Sequence, residues 1–290
     1  MTAPSDSLRE HELDTGHLRE CLALSAEAGW NQIEADWRLM LRLGRGLGIS
    51  AEAGGLVATT IMLPFERRFA WISMVLVSER FRRRGLATRL MRRAVDELVA
   101  LGCVPLLDAT PAGREVYQRL GFRDCWGMAR HACAAAIVPD LPSSGNGPRV
   151  RRLAPGDWTS VLEIDRAIFG ADRAGILHDL ANRVPHAALI AERDDRLCGA
   201  SFARDGRLAT QLGPVIAADD QAARALVAEA LAQIAGPVFI DVPDRHATIG
   251  GWLRELGFAL QRPLIRMALG RGQAFDDPNR LYAVAGPELG

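Results

Sequence analysis

Val75-Leu76-Val77 is an apolar run, and the turn Arg82-Arg83-Arg84-Gly85-Leu86-Ala87 follows it shortly afterwards. From Thr88 onward the apolar residues fall into helical spacing. A strand feeding a basic, glycine-containing turn and then a helix presents unpaired helix N–H groups and about half a positive charge to whatever lies ahead. Gly85 permits a left-handed backbone or a close approach, and the small Ala87 leaves room for a bulky anion. The three guanidinium groups add charge-assisted bonds to phosphate oxygens. The ligand implied is a pyrophosphate, held by residues 82–88 beside the strand 75–77.

That turn sits in a chain that reads as two copies of one plan. LLDATPAGREVYQRLGF (106–122) and FIDVPDRHATIGGWLRELGF (239–258) share a short apolar strand, a turn, a helix and a Leu-Gly-Phe stop. Asp108 answers Asp241, and Tyr117 is matched with Trp252. Amphipathic helices at 88–101 and 221–234 precede the two copies, with apolar residues three and four apart. Between the halves, Pro139 to Pro148 is dense in proline, glycine and serine and reads as a linker. The expected division is therefore a first domain at 1–138, a linker at 139–148 and a second domain at 149–290. Each half runs strand, two helices, three strands, helix, strand, helix, strand. The fold class is α/β (α+β), two tandem domains, each a mixed sheet flanked by helices. The helix at 31–43 carries Asp36, and Trp30 stands just before it.

Composition narrows the function. The 290 residues are 49% hydrophobic and 24% charged, which fits folded domains and excludes disordered or fibrous chains. Lys+Arg and Asp+Glu both number 35, so no net field draws in nucleic acid. Every cation is arginine, since the chain has no lysine. The five cysteines are scattered and never CxxC, and the six histidines lack ligand spacing, so neither a disulfide framework nor a metal site is expected. No apolar run spans a bilayer and the first residues do not read as a signal peptide, which predicts a cytoplasmic protein without membrane partners. Monomer and homodimer are both left open.

The turn at 82–87, with Tyr117 and Leu120-Gly121-Phe122 downstream, resembles the acetyl-CoA motif of the GNAT N-acetyltransferase superfamily, Arg/Gln-x-x-Gly-x-Gly/Ala. The segment AGWNQIEADW and the tail AVAGPELG are similar to the two-domain YitH-like branch. The resemblance implies an acyltransferase (EC 2.3.1.-) with acetyl-CoA as co-substrate and a mostly antiparallel sheet in each domain. It implies that the strand matching Val75–Val77 splays from its neighbour and pairs with the pantetheine arm, that the start of the helix takes the pyrophosphate, and that Tyr117 protonates the leaving thiolate. A phenol of pKa about 10 suits that role at neutral pH. Trp71 stands where histone-acetylating relatives carry a glutamate, which argues against their mechanism. Candidates for the base are Asp108, Glu66, Asp36 or water, and Asp108 equally suits a cap for the following helix. Trp30, Asp36 and Asp241 are candidate acceptor contacts, with Asp165, Arg204 and Asp205 as further polar groups of the second half.

The second copy reads as degenerate. It has Ala218-Asp219-Asp220 where the first has the arginine turn, and the tyrosine is gone. The expected activity is acetyl transfer to an amine of a small molecule by direct attack in a ternary complex. An acyl-CoA-binding sensor without turnover and a protein or peptide N-acetyltransferase are the alternatives.

Overall fold

The computed structural model describes residues 7–52, 55–139 and 147–290. Contacts divide it into two compact units, Met1–Leu107 and Asp108–Gly290.

The first unit comprises β1 (Leu8–Leu13), α1 (Leu18–Glu27), α2 (Glu34–Leu43), β2 (Arg45–Ala51), β3 (Gly55–Phe65), β4 (Phe69–Val77), α3 (Leu86–Ala100) and β5 (Val104–Ala109), whose last two residues belong to the second unit. The sheet order is β1-β2-β3-β4-β5, antiparallel except for the β4–β5 pair. β3 and β4 are buried almost throughout and read as near-continuous apolar runs, as covered strands do. The amphipathic stripe of α3 buries Leu86, Leu90, Met91, Ala94 and Leu98. Trp37 of α2 is fully buried, and its indole N–H donates to the Ser25 hydroxyl at 3.0 Å, which supplies the partner a buried indole needs.

The second unit continues with α4 (Pro111–Arg119), β6 (Phe122–Cys133), β7 (Arg149–Arg152), α5 (Trp158–Phe169), α6 (Ala174–Arg183), β8 (Leu189–Arg193), β9 (Arg196–Arg204), β10 (Thr210–Ala217), α7 (Asp220–Gln233), β11 (Val238–Pro243), α8 (Ala247–Glu255), β12 (Ala259–Leu269) and β13 (Leu281–Ala283). Its sheet order is β12-β6-β11-β10-β9-β8-β7, with β13 on β10. Among the described residues of this unit, only the β10–β11 pairing is parallel.

The division of contacts differs from the division into repeats for one reason. β6 is the last strand of the first repeat, yet it lies antiparallel between β11 and β12 of the second. Met128 faces Leu264, with Trp126 opposite Arg266 and Arg130 opposite Arg262 on either side. Of the linker expected at 139–148, residues 140–146 lie outside the described residues.

Candidate active site

The arginine turn is built from its anchors outward. Ser78 N–H donates to Val57 O at 2.8 Å, tying the end of β4 to β3. The Glu27 carboxylate, at the end of α1, accepts from the Ser78 hydroxyl at 3.2 Å and from the Glu79 N–H. Phe81 is buried, with the Arg84 guanidinium 4.8 Å from its ring centre. Arg82 reaches back through Nε to Val77 O at 3.3 Å. Arg82, Arg83 and Arg84 are all exposed. Gly85 has φ +76, the left-handed conformation glycine adopts without cost, and a Cβ there would meet no atom within 4 Å.

Immediately after it, α3 starts with no side-chain cap and no acidic residue in its first turn. Its first helical bond runs from Arg89 N–H to Gly85 O, so Leu86, Ala87 and Thr88 keep N–H groups without an intrahelical acceptor. Open space, unspent N–H donors and exposed guanidinium groups fit a pyrophosphate.

β4 supplies the adjoining edge. It pairs with β5 only at Phe69–Trp71 against Val104–Leu106. Beyond that point β3 is the only strand beside β4 among the described residues, so Ile72–Val77 has one open edge. The expected splay is present in the first unit. A bulge accompanies it: Met74 has φ +51 and the β3–β4 register shifts there. Thr59 and Thr60 of β3 hold the bulge, their hydroxyls donating to Met74 O at 2.8 Å and Ser73 O at 3.3 Å. Trp71 lies in the paired part of the strand and is buried.

In the second unit, Thr110 caps α4 by accepting from Gly113 N–H at 3.2 Å, and Pro111 takes the first helical position. Tyr117 lies on α4, half-buried, its ring edge-on to Phe122 at 6.1 Å. No described residue hydrogen-bonds its hydroxyl, and burial pushes the phenol up to about 12. That phenol keeps its proton at any neutral pH.

Asp108 is not the cap of α4. Both of its oxygens accept from Arg266 of β12, Nε and Nη2 each at 2.9 Å. Arg266 also binds Asp276, whose other oxygen accepts from Trp126 Nε1 at 3.2 Å, and the guanidinium stacks on Trp126 at 4.3 Å. Burial pushes the Asp108 carboxyl up to about 6 against the pull of Arg266, with Asp276 and Asp241 adding to the rise.

Asp241, its counterpart, is equally buried and engaged. Arg130 of β6 donates to it twice, at 2.8 and 2.7 Å, and Gln211 once at 3.1 Å. The sequence reading missed Arg130 and Arg266. Their signal was present, an arginine eight residues beyond each Leu-Gly-Phe phenylalanine.

Other expected residues have structural employment. Asp36 is buried and accepts from Ile33 N–H at 2.8 Å, closing the start of α2, and Trp30 just before it is half-buried. Asp165 is held by Arg173 at 2.9 and 2.8 Å, Arg204 pairs with Glu288, and Asp205 is held by Arg183 at 2.7 Å. Counted back from the shared Leu-Gly-Phe, Leu253 and not Trp252 stands where Tyr117 does, and it is fully buried. Among the described residues no cluster of His, Cys, Asp or Glu could hold a metal, and no helix is long and apolar enough to cross a membrane.

In the second repeat, α7 begins differently from α3. Asp219 accepts from Ala222 N–H at 2.9 Å as a cap and is itself paired with Arg193 at 2.7 Å. Asp220 accepts from Thr248 at 2.8 Å and from Tyr282 at 2.9 Å. The positive end of this helix is already neutralised by carboxylates.

Residues 16–122 match the acetyltransferase (GNAT) family, and residues 161–283 match an acetyltransferase (GNAT) domain. Over 262 residues the chain is 25% identical to the uncharacterized N-acetyltransferase YitH of Bacillus subtilis, covering 89% of both. An uncharacterized N-acetyltransferase of Streptomyces coelicolor is 30% identical over 157 residues, 49% of this chain and 37% of that one. A putative acetyltransferase from Pyrococcus horikoshii shares the fold with TM-score 0.80 and 17% identity, over 100% of this chain and 98% of that one. A tandem GNAT protein from the clavulanic acid biosynthesis pathway does so with TM-score 0.62 and 15% identity, over 90% and 98%. The chain belongs to the GNAT superfamily of N-acetyltransferases. With two GNAT-like domains in tandem, its place there is the YitH-like branch.

Proposed function

We propose that the first repeat transfers an acetyl group from acetyl-CoA to the amine of a small molecule. The observation that carries this reading is the contrast between two helix starts. α3 begins at a left-handed glycine with free N–H groups, exposed arginines and no carboxylate, whereas α7 is capped by Asp219. Only the first is built for an anion.

Acetyl-CoA supplies the thioester. The 82–88 turn binds the pyrophosphate, and the open edge of Ile72–Val77 offers backbone N–H and C=O groups to the amide-bearing pantetheine arm. In direct attack the amine nitrogen forms a bond to the acetyl carbon, the C–S bond breaks, and the sulfur leaves with the electron pair. The Tyr117 hydroxyl gives that sulfur its proton, and the proton shed by the newly acylated nitrogen restores the phenol. Burial keeps the phenol protonated at neutral pH, so a proton is at hand when the sulfur leaves.

An alkyl amine of pKa about 10.4 must first lose a proton, at a cost of roughly 4–5 kcal/mol at neutral pH. Asp108 is poorly placed to take that proton, since both of its oxygens already accept from Arg266. Water is therefore the favoured base. Release of free thiol from acetyl-CoA across a panel of small amines, polyamines, amino acids and peptides tests the reading. Turnover confined to peptides would replace the small-molecule acceptor, and CoA binding without turnover on any amine would replace the enzyme with a sensor.

A further inference from the structure

β10 and β11 of the second repeat diverge as β4 and β5 do in the first. They run parallel and pair only at Thr210–Gln211 against Val238–Phe239. Past that point the split is not open. β13 lies antiparallel on β10, Val215 opposite Ala283 and Ile216 opposite Leu281, and Ala217 N–H donates to Arg280 O at 3.0 Å. On its other side, Val284 N–H donates to Asp241 O of β11 at 3.1 Å. The segment is thus hydrogen-bonded to both diverging strands. Its approach depends on Gly213, with φ +153, where a Cβ would overlap the Val284 carbonyl oxygen.

The segment is held at both ends as well. Tyr282 donates to Asp220 at the start of α7. At the far end Glu288 pairs with buried Arg204, and Arg173 donates to Gly290 O at 2.9 Å. Leu281, Ala283, Val284, Ala285 and Leu289 are all buried to 1% exposure or less.

We infer that segment 281–290 is a built-in occupant of the second repeat's split, taking the backbone-pairing positions on β10 that the first repeat leaves open on β4, and so closing the second repeat to acyl-CoA. A peptide strand offers the same alternating N–H and C=O groups as an amide-bearing arm, so one edge accommodates either but not both. The Asp219 and Asp220 carboxylates complete the replacement at the anion end of α7. This inference rests on the reading that the first repeat holds acetyl-CoA.

The test uses the full chain, with amide hydrogen exchange followed by mass spectrometry, with and without saturating CoA, and calorimetry for stoichiometry. Amides of 281–289 should exchange as slowly as those of 210–217. CoA should leave both unchanged while slowing exchange at 76–90, with one CoA bound per chain. Faster exchange at 281–289 in CoA, new protection at 210–217, or two CoA per chain would overturn the inference.

A chain that binds no CoA anywhere would sink the reading of the first repeat, and the occupancy is then judged by substitution alone. Gly213→Ala should push the segment off and raise exchange at 281–289 by about tenfold or more, with β1–β3 unaffected. Should that variant not fold, Glu288→Gln is expected to raise exchange at 286–289 in the same sense. Exchange unchanged in the folded variant refutes the occupancy.

Discussion

Arg266 holds both oxygens of Asp108 at 2.9 Å, and the two residues come from different repeats. Arg130 and Asp241 form the reciprocal pair, again one residue from each repeat. Each arginine stands eight residues past a Leu-Gly-Phe phenylalanine, and each aspartate lies within an otherwise apolar strand. The two pairs lie about a centre marked by Met128 facing Leu264, where β6 and β12 run antiparallel. The repeats therefore share an interlocked pair of strands, each strand carrying the cation for the other repeat's carboxylate.

The two pairs differ in charge balance, and that predicts unequal responses to the same substitution. Arg266 serves two carboxylates, Asp108 and Asp276. Asp108→Asn leaves it one counter-ion and should cost no more than about 1–2 kcal/mol. Asp241→Asn removes the only carboxylate that Arg130 contacts among the described residues, leaving a buried guanidinium on amides, and should cost about 3–5 kcal/mol. Urea unfolding of both variants at pH 7.5 checks the order. Equal losses would show that Asp276 does not share the charge of Arg266.

The same carboxyl predicts a pH dependence. Asp108 is pushed up from 3.8 to about 6, so between those values the native state holds a proton that the unfolded chain has released. Its contribution to stability therefore falls as pH rises from about 4 to 6, at up to about 1.4 kcal/mol per pH unit, and is level above. Asp108→Asn lacks this titration. Relative to the parent it should gain stability over that window, read as the difference in unfolding free energy at pH 4.5 and 7. A difference that stays flat would mean that Asp108 titrates like an exposed aspartate.

Tyr117→Phe separates catalysis from packing. The hydroxyl has no protein partner among the described residues, while the ring packs on Phe122. Removing the oxygen should leave Tm within about a degree and the Kd for CoA unchanged, since no bond is lost. If the phenol protonates the leaving sulfur, kcat falls by ~10²–10⁴. Steady-state kinetics with a saturating acceptor checks this, and an unchanged kcat assigns Tyr117 to packing.

Much of this architecture was legible in the sequence because it is local. The spacing of Leu86, Leu90, Met91, Ala94 and Leu98 defines α3, and the apolar run at 69–77 defines β4. The arginine turn was legible because a glycine between a basic run and a helix has few other uses. Pairing was not legible. Nothing in Phe122–Cys133 tells whether its neighbour is β12 or a strand of its own repeat, since the alternation that buries one face is satisfied either way. β13 has only three residues, Leu-Tyr-Ala, after a stretch rich in glycine, aspartate and proline, too short for any period to register. Asp36, Asp165 and Arg204 look like site residues in sequence because charged groups are rarely buried. Each is buried with a specific partner, a relation fixed only by the fold.

Gly85→Asp tests the anion site most directly, because the second repeat already shows what an aspartate does at the start of this helix. Asp219 caps α7 with its side chain and neutralises its positive end. An aspartate at 85 should act alike, offering a cap to α3 while spending the N–H groups and the charge that a pyrophosphate needs. The left-handed φ of +76 costs about 1 kcal/mol for a side-chain-bearing residue, partly offset by the new cap, so the variant should remain folded. CoA affinity should fall by roughly a hundredfold or more, from the loss of charge-assisted bonds together with repulsion of the phosphates. Arg82→Ala should weaken CoA less, by about 1.5 kcal/mol or roughly tenfold, for one exposed charge-assisted bond. Asp219→Arg should leave CoA binding untouched while costing about 1 kcal/mol of stability or more, through the lost cap and the guanidinium set against Arg193 at the positive end of α7. Calorimetry on the three folded variants measures each effect. If Gly85→Asp binds CoA like the parent, the pyrophosphate is not held at the start of α3 and the transferase reading of the first repeat falls with it.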